Sequence, residues 1–300
     1  MIKDRDVGES AYLPPEHVDS CPLCSHSTAR EIATYAYYTG EGSLSVTLVR
    51  CRQCGLLFLS RGPTADSLRG HMERASYTNQ EKSSSSLIAR RQLFEGILKL
   101  ANQWKPEKGR CLDVGCGHGD LLSLAREQGW DVYGTEILER LCHQVQARGI
   151  ACVCNASLEG LPQQSFDCLT FIDSLYYMPE PLGELRHAYR LLRDGGIVIL
   201  RVTNRAAWAT ILAPVRHVFP SPFRRIVGDA LVHFSPITTR AILLQAGFSR
   251  VQLLPDPRRR NSWPPSLTLI AYGLGRITWH ITNGRILISP GLVAIARRDG

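Results

Sequence analysis

The chain changes its pattern of apolar and polar positions near Arg110. From there on, short apolar runs alternate with stretches in which apolar residues recur every three or four positions. The runs Cys111–Val114, Asp131–Glu136, Ile150–Cys154, Cys168–Ile172 and Ile197–Val202 read as strands. Between them a helical period holds over 120–128, over a stretch ending at Arg148 and over 179–192, with Gly129 and Gly149 as stops. A further helix over 237–245 precedes a strand at 251–254, and Leu287–Ile288 with Leu292–Ile295 supplies a last, antiparallel strand. Strands alternating with helices predict an α/β fold: a doubly wound, seven-stranded, mostly parallel sheet. Upstream, Ser83–Ser86 can cap a helix whose apolar period runs from Leu87 to Trp104 and ends before Pro106 and Gly109. Earlier still, only Leu44–Arg50 alternates like a strand, and residues 61–82 form a polar, turn-rich connector.

Two strand ends carry chemistry. The first strand runs into Asp113-Val114-Gly115-Cys116-Gly117-His118-Gly119, and the next helix begins at once. Glycines at alternate positions allow positive φ and bring a ligand against the backbone. Asp113 would repel a pyrophosphate but suits a positively charged ligand, an α-ammonium or a sulfonium. The second strand ends on Glu136. A carboxylate there can accept from both hydroxyls of an adenosine ribose. This pair of motifs resembles the class I S-adenosylmethionine-dependent methyltransferases. The resemblance implies a Rossmann-like sheet with S-adenosylmethionine bound by Asp113, Gly115, Cys116, Gly117, Gly119 and Glu136. It also implies adenine contacts from Asn155 and Ala156, where the family usually has an acidic and a small residue.

The N-terminal part adds a different chemistry. Cys21-Pro22-Leu23-Cys24 and Cys51-Arg52-Gln53-Cys54 are separated by 26 residues. Two such knuckles can complete a tetrahedral thiolate shell, so Cys21, Cys24, Cys51 and Cys54 are the expected ligands of a structural Zn²⁺. His26 is then left exposed. Charges from Asp19 to Ser60 balance to zero, a poor footprint for phosphates. The order of ribbon, connector and leading helix resembles a methyltransferase subgroup with N-terminal zinc-binding domains, often acting on sugars, glycans or natural products. The expected division is ribbon and connector over 1–75 and the methyltransferase domain over 76–300.

Composition changes the picture in one place. The net charge is +8, yet Arg201 to the C-terminus holds 14 arginines, no lysine and 3 acids. An arginine-rich third implies an anionic partner or a solvated face. Residues 205–232 mix Trp208, Phe219 and Phe223 with Arg216, Arg224 and Arg225, and read as a lid over an anionic substrate. A peripheral membrane contact through 205–232 is the other reading. The polar first twenty residues and the lack of a long apolar run predict a cytoplasmic, reducing setting in which the ten cysteines are not disulfides.

Methyl transfer from a sulfonium is an in-line displacement that needs alignment and exclusion of water. The strand end Asp173-Ser174-Leu175-Tyr176-Tyr177 faces the ligand crevice of such a sheet. Asp173 is therefore a candidate on both the cofactor and the substrate side, and Tyr177 on the substrate side. His233, just before the last helix, is the candidate general base, by resemblance to relatives whose histidine approaches the crevice. The expected acceptor is a small, anionic or carrier-linked metabolite such as a sugar nucleotide, glycan precursor or natural-product intermediate. Alternatives are a nucleic-acid base methyltransferase, disfavoured by the neutral ribbon, and a non-catalytic interaction protein keeping the fold. The acceptor atom and the oligomeric state are not legible in the sequence.

Overall fold

The computed structural model describes residues 18–39, 42–63, 65–74, 84–154, 158–218, 227–256 and 291–299, with isolated positions at 223 and between 273 and 287. The strands are β1 (Ala29–Thr39), β2 (Gly42–Cys51), β3 (Leu57–Arg61), β4 (Arg110–Val114), β5 (Asp131–Glu136) and β6 (Ala151–Cys154), then β7 (Phe166–Ile172), β8 (Leu192–Thr203), β9 (Val232–His233), β10 (Ser249–Pro255) and β11 (Gly291–Arg297). The helices are α1 (Ala65–Arg74), α2 (Ser84–Trp104), α3 (Asp120–Glu127), α4 (Glu139–Ala147), α5 (Pro181–Leu191), α6 (Ala206–Leu212) and α7 (Pro236–Gln245).

Seven strands form one sheet in the order β10-β11-β8-β7-β4-β5-β6. The five from β8 to β6 are parallel, and β11 runs antiparallel between β8 and β10. This is the doubly wound, Rossmann-like sheet that the alternation predicts. Strand residues divide between the two faces by the period of two. Cys111, Cys168, Ile197 and Ile199 face a core with α2, α3 and α4, whereas Leu112, Leu169, Phe171, Val198 and Leu200 face the core that holds α5 and α7.

β8 begins five residues before the predicted run. It absorbs the Asp194-Gly195-Gly196 turn as an irregularity against β7, with Gly195 at φ 76°. α7 starts on the N-cap Ser235, whose side chain accepts from the Thr238 amide while Thr238 Oγ1 accepts from the Ser235 amide. Both ends of that first turn are thus closed.

The N-terminal part is more strand-rich than its sequence suggests. β1 and β2 form a long antiparallel pair, β3 adds a third strand, and β9 closes the sheet by pairing Val232 and His233 with Phe58 and Leu57. Leu48, Leu56, Leu57 and Phe58 are buried in the same apolar cluster as Tyr176, Leu231 and Phe234. The ribbon is therefore welded to the α5 and α7 side of the large sheet.

Two expectations change here. Several described residues of 205–232 reach the ribbon: Tyr35 meets Phe223 edge to face, Arg50 donates to Thr210, and Tyr37 donates to the Asp229 carbonyl. None of them lines the cavity described below. Phe223, packed on Tyr35 of the ribbon, is removed from water there, which a lid posture would not do. Second, Cys142 of α4 and Cys154 of β6 are disulfide-bonded, against the expectation of free thiols. The α4 helix packs directly on β6 and brings their Cα atoms to 5.5 Å, the ordinary bridging distance. No helix among the described residues is long and apolar enough to cross a membrane.

Candidate active site and metal centre

A cavity of about 220 Å³ opens at the C-terminal ends of β4, β5 and β7, where the strand order reverses. Its floor is the glycine turn. Gly115 has φ 75°, and a Cβ there would lie 2.7 Å from Ser174 Cβ, so the turn passes too close to the β7 end for any side chain. The amides of Gly115 and Cys116 both donate to the Thr135 carbonyl, at 2.9 and 3.0 Å, which ties the turn to β5. Gly119 shapes the same turn from outside the cavity, as the left-handed N-cap of α3.

Two buried carboxylates face this floor. Asp113 is 4% exposed and accepts a 2.6 Å hydrogen bond from Thr170 Oγ1. Burial pushes its carboxyl up to about 7, although the Thr170 bond and the Arg90 charge oppose the shift. Glu136 is 7% exposed; one oxygen accepts from the Gly117 amide at 2.7 Å and the other from the Leu138 amide at 3.0 Å. Burial raises its pKa too, against those backbone amides. Each oxygen keeps lone-pair capacity for a further donor, which is what a ribose diol presents. Asn155 and Ala156 lie outside the described residues.

The cavity wall includes residues with no signal in the sequence. Arg90 of α2 reaches the turn, stacked over Phe94 at 5.1 Å and 3.7 Å from Asp120. On a helical wheel it looks like one more solvated arginine. Leu68, Arg69 and Met72 of the connector helix α1 also line the cavity. Asp173, Ser174, Tyr177 and Met178 line the cavity from the end of β7, so Asp173 and Tyr177 stand where the crevice argument puts them.

Tyr177 also leads away from the cavity. Its hydroxyl donates to Asp229 Oδ1 at 2.9 Å, and His71 Nε2 lies 3.3 Å from Asp229 Oδ2. Burial opposes the Asp229 charge, but hydrogen bonds from His71 and Tyr177 outweigh it and hold the carboxyl below its usual range. His233 goes elsewhere. It is 1% exposed in the two-stranded join of β3 and β9, burial pushes its pKa down to about 3, and neither ring nitrogen has a protein partner. It does not line the cavity, because pairing with Leu57 turns its side chain into the ribbon interface.

At the ribbon tip the four sulfurs of Cys21, Cys24, Cys51 and Cys54 lie within 4.8 Å of one another, with Cys21–Cys54 and Cys24–Cys51 both at 3.5 Å. That is about the edge of a tetrahedral thiolate shell with metal–sulfur bonds of about 2.3 Å. Burial opposes ionisation of Cys51, but amides of Cys54 and Gln53 aimed at its sulfur bring it down to about 7. Cys21 is pushed up to about 11 by its own burial, so a cation would have to displace its proton. His26 is exposed, as expected of a non-ligand.

The sheet order, the glycine turn and the strand-end Glu136 have the arrangement of the class I methyltransferase fold. The chain belongs to the methyltransferase-domain family, whose model matches residues 87–253. Among curated proteins it is similar to the ubiquinone biosynthesis O-methyltransferase of Pseudomonas putida, 32% identical over 115 residues, covering 35% of this chain and 49% of the relative. The same enzyme of Pseudomonas aeruginosa is 32% identical over 117 residues, with the same shares. The chain thus spans about half the length of the curated relatives it matches. Among solved structures it resembles an S-adenosylmethionine-dependent methyltransferase of Archaeoglobus fulgidus, with 20% identity, a TM-score of 0.47, 72% of this chain and 95% of that one. One from Mesorhizobium loti gives 21%, 0.43, 64% and 92%.

Proposed function

We propose that the protein methylates a hydroxyl of a small, anionic metabolite, with the ribbon held by a structural Zn²⁺. S-adenosylmethionine supplies the electrophilic methyl group on its sulfonium. Gly115 and Gly117 cradle its backbone, Glu136 receives the ribose hydroxyls, and the Asp113 and Arg90 charges meet its ammonium and carboxylate ends. The single observation that carries the reading is the continuity of one cavity from Glu136 to Tyr177, joining a cofactor cradle to a second wall. That second wall is apolar at Leu68, Met72 and Met178, which suits an acceptor with an apolar body.

A hydroxyl acceptor must lose a proton as it attacks. Tyr177 donates its own proton to Asp229, so its oxygen can accept from an acceptor hydroxyl at the cavity wall. The ionised Asp229, held by His71, is the sink toward which that proton moves. This assigns the base function to Tyr177 with Asp229 in place of His233, while Asp173 stays on the cofactor side. The curated relatives are named as O-methyltransferases of a small molecule, in line with a hydroxyl acceptor.

The test is transfer of labelled methyl from S-adenosylmethionine to panels of anionic phenols, sugar nucleotides and RNA. The proposal expects label in a hydroxyl-bearing small molecule and a fall of about a hundredfold with Asp229→Asn. Label confined to RNA, or an Asp229→Asn variant as active as wild type, would overturn it.

A further inference from the structure

Arg201 is the charged residue that the apolar pattern of β8 leaves unexplained. It follows Ile197 and Ile199 on the same face of the strand, where the next apolar side chain would be expected. It is 2% exposed, and two carboxylates meet it. Arg201 Nε and Nη2 both donate to Asp256 Oδ2, at 3.1 and 2.6 Å, and Nη1 donates to Asp173 Oδ1. Asp256 is itself 1% exposed, whereas the Asp173 side chain is 30% exposed and lines the cavity.

The arrangement is built, not incidental. Asp173 has φ 62°, a left-handed conformation rare for a residue with a side chain, and its amide donates to the Arg201 carbonyl at 3.0 Å. β11 opens on Gly291, where a Cβ would fall on Asp256 Oδ2 and within 2.9 Å of the Arg201 guanidinium. The Asp256 amide donates to the Gly291 carbonyl at 3.1 Å. Two strands and a strained turn are thus arranged around one ion triad.

The charges decide what the triad is for. One guanidinium between Asp173 and Asp256 leaves a net charge of −1, and the cavity receives it through Asp173. Without Asp256, Arg201 would neutralise Asp173 outright. We infer that Arg201 and Asp256 are positioning residues that keep Asp173 as a net-negative end of the cavity, so that the site prefers the sulfonium cofactor to its thioether product. The inference rests on the methyltransferase reading. S-adenosylmethionine carries a net charge of +1 and S-adenosylhomocysteine none, because they differ by the sulfonium. The ammonium and carboxylate ends are common to both, so the field of the triad separates them through the sulfonium charge that only one carries. Weak retention of product frees the site for the next turnover.

The experiment is calorimetric titration of the full-length, zinc-loaded protein with each of the two ligands. Asp256→Asn keeps a hydrogen-bond acceptor for Arg201 and removes one charge. It is expected to weaken S-adenosylmethionine about tenfold and S-adenosylhomocysteine less than about twofold. Asp173→Asn, which tolerates the left-handed backbone, is expected to do the same and keeps the test decisive if Asp256→Asn does not fold. Equal effects on both ligands, or none on either, would overturn the assignment, because a merely structural role moves both together. Wild-type protein that binds neither ligand would bring down the methyltransferase reading itself and the triad's role with it. Loss of both ligands in Glu136→Ala with an unchanged ratio in Asp256→Asn would refute the triad alone.

Discussion

Substituting Gly115 by alanine separates two costs that the structure places at one atom. The new Cβ would stand 2.7 Å from Ser174 Cβ and 3.4 Å from its Oγ, where an ordinary carbon contact is near 3.5 to 4 Å. Overpacking of that kind costs about 1–3 kcal/mol. The φ of 75° adds about 1–2 kcal/mol for any residue with a Cβ. Together they take about 2–5 kcal/mol from a total of roughly 5–15. Gly117 supplies the contrast: its φ is 57°, but the nearest atom to an added Cβ is the mobile Arg90 Nη2 at 3.9 Å. Gly117→Ala should therefore cost only the backbone share, about 1–2 kcal/mol. Adding Ser174→Gly to Gly115→Ala removes the clashing carbon, and since Ser174 Oγ has no hydrogen-bond partner, it breaks none. The double variant should recover the packing share and leave the backbone share. Urea unfolding of the four proteins gives these differences directly. Equal costs at Gly115 and Gly117, or no recovery in the double variant, would refute the close-approach argument.

Other consequences follow from the remaining contacts. Tyr177→Phe keeps the cavity wall but removes the donor to Asp229. S-adenosylhomocysteine affinity should stay within about twofold while methyl transfer falls about tenfold or more, and equal losses in both would contradict the assignment. Removing metal with a chelator, or substituting Cys24 by serine, should unfold the ribbon sheet and loosen the β3–β9 join, seen as new amide exchange at Leu57 and Phe58; unchanged protection there would count against a structural metal. Asp113 is raised from 3.8 to about 7, so the folded protein holds a proton that the unfolded chain has lost across that window. Its contribution to stability therefore falls as pH rises through the window, and Asp113→Asn should flatten that slope in thermal melts. Closing the 12-residue separation between Cys142 and Cys154 stabilises by about 3 kcal/mol, so replacing both with serine should lower the urea midpoint accordingly, and an unreduced mass showing two extra hydrogens would deny the bridge.

The large sheet was legible because its residues obey one local rule at a time. Each buried strand is a short apolar run, each helix has its period, and glycines or prolines separate them, so strand boundaries differ by only a few residues. The geometry of the glycine turn and the strand-end carboxylate was legible for a similar reason. Gly115, Gly117 and Glu136 are close in sequence to the strand ends that position them, so residue type and spacing carry the geometry. The ribbon's extent was less legible: β1 alternates weakly, and β9 joins its sheet from more than 170 residues away. Nothing local marks Val232 as a partner of Phe58.

Beyond Tyr177 and Asp173, the far wall of the cavity was less legible for the same reason. Arg69 and His71 sit on a connector whose polar composition reads as solvent-facing, and only tertiary packing brings them beside Tyr177 and Asp229. His233 read as a base because it precedes the last helix, but its strand pairing buries it first. Arg201 and Asp256 are 55 residues apart, and an arginine in an apolar strand signals a buried partner without naming it.

The central claim is that Glu136 and the glycine turn form the cofactor site. Its most direct test is calorimetric titration of S-adenosylhomocysteine into zinc-loaded protein, wild type against Glu136→Ala. Two hydrogen bonds to a buried carboxylate are worth about 1.5–3 kcal/mol each before compensation, so the variant should bind about a hundredfold more weakly while remaining folded. Folded wild-type protein that does not bind, or a Glu136→Ala variant that binds as tightly, would contradict the account.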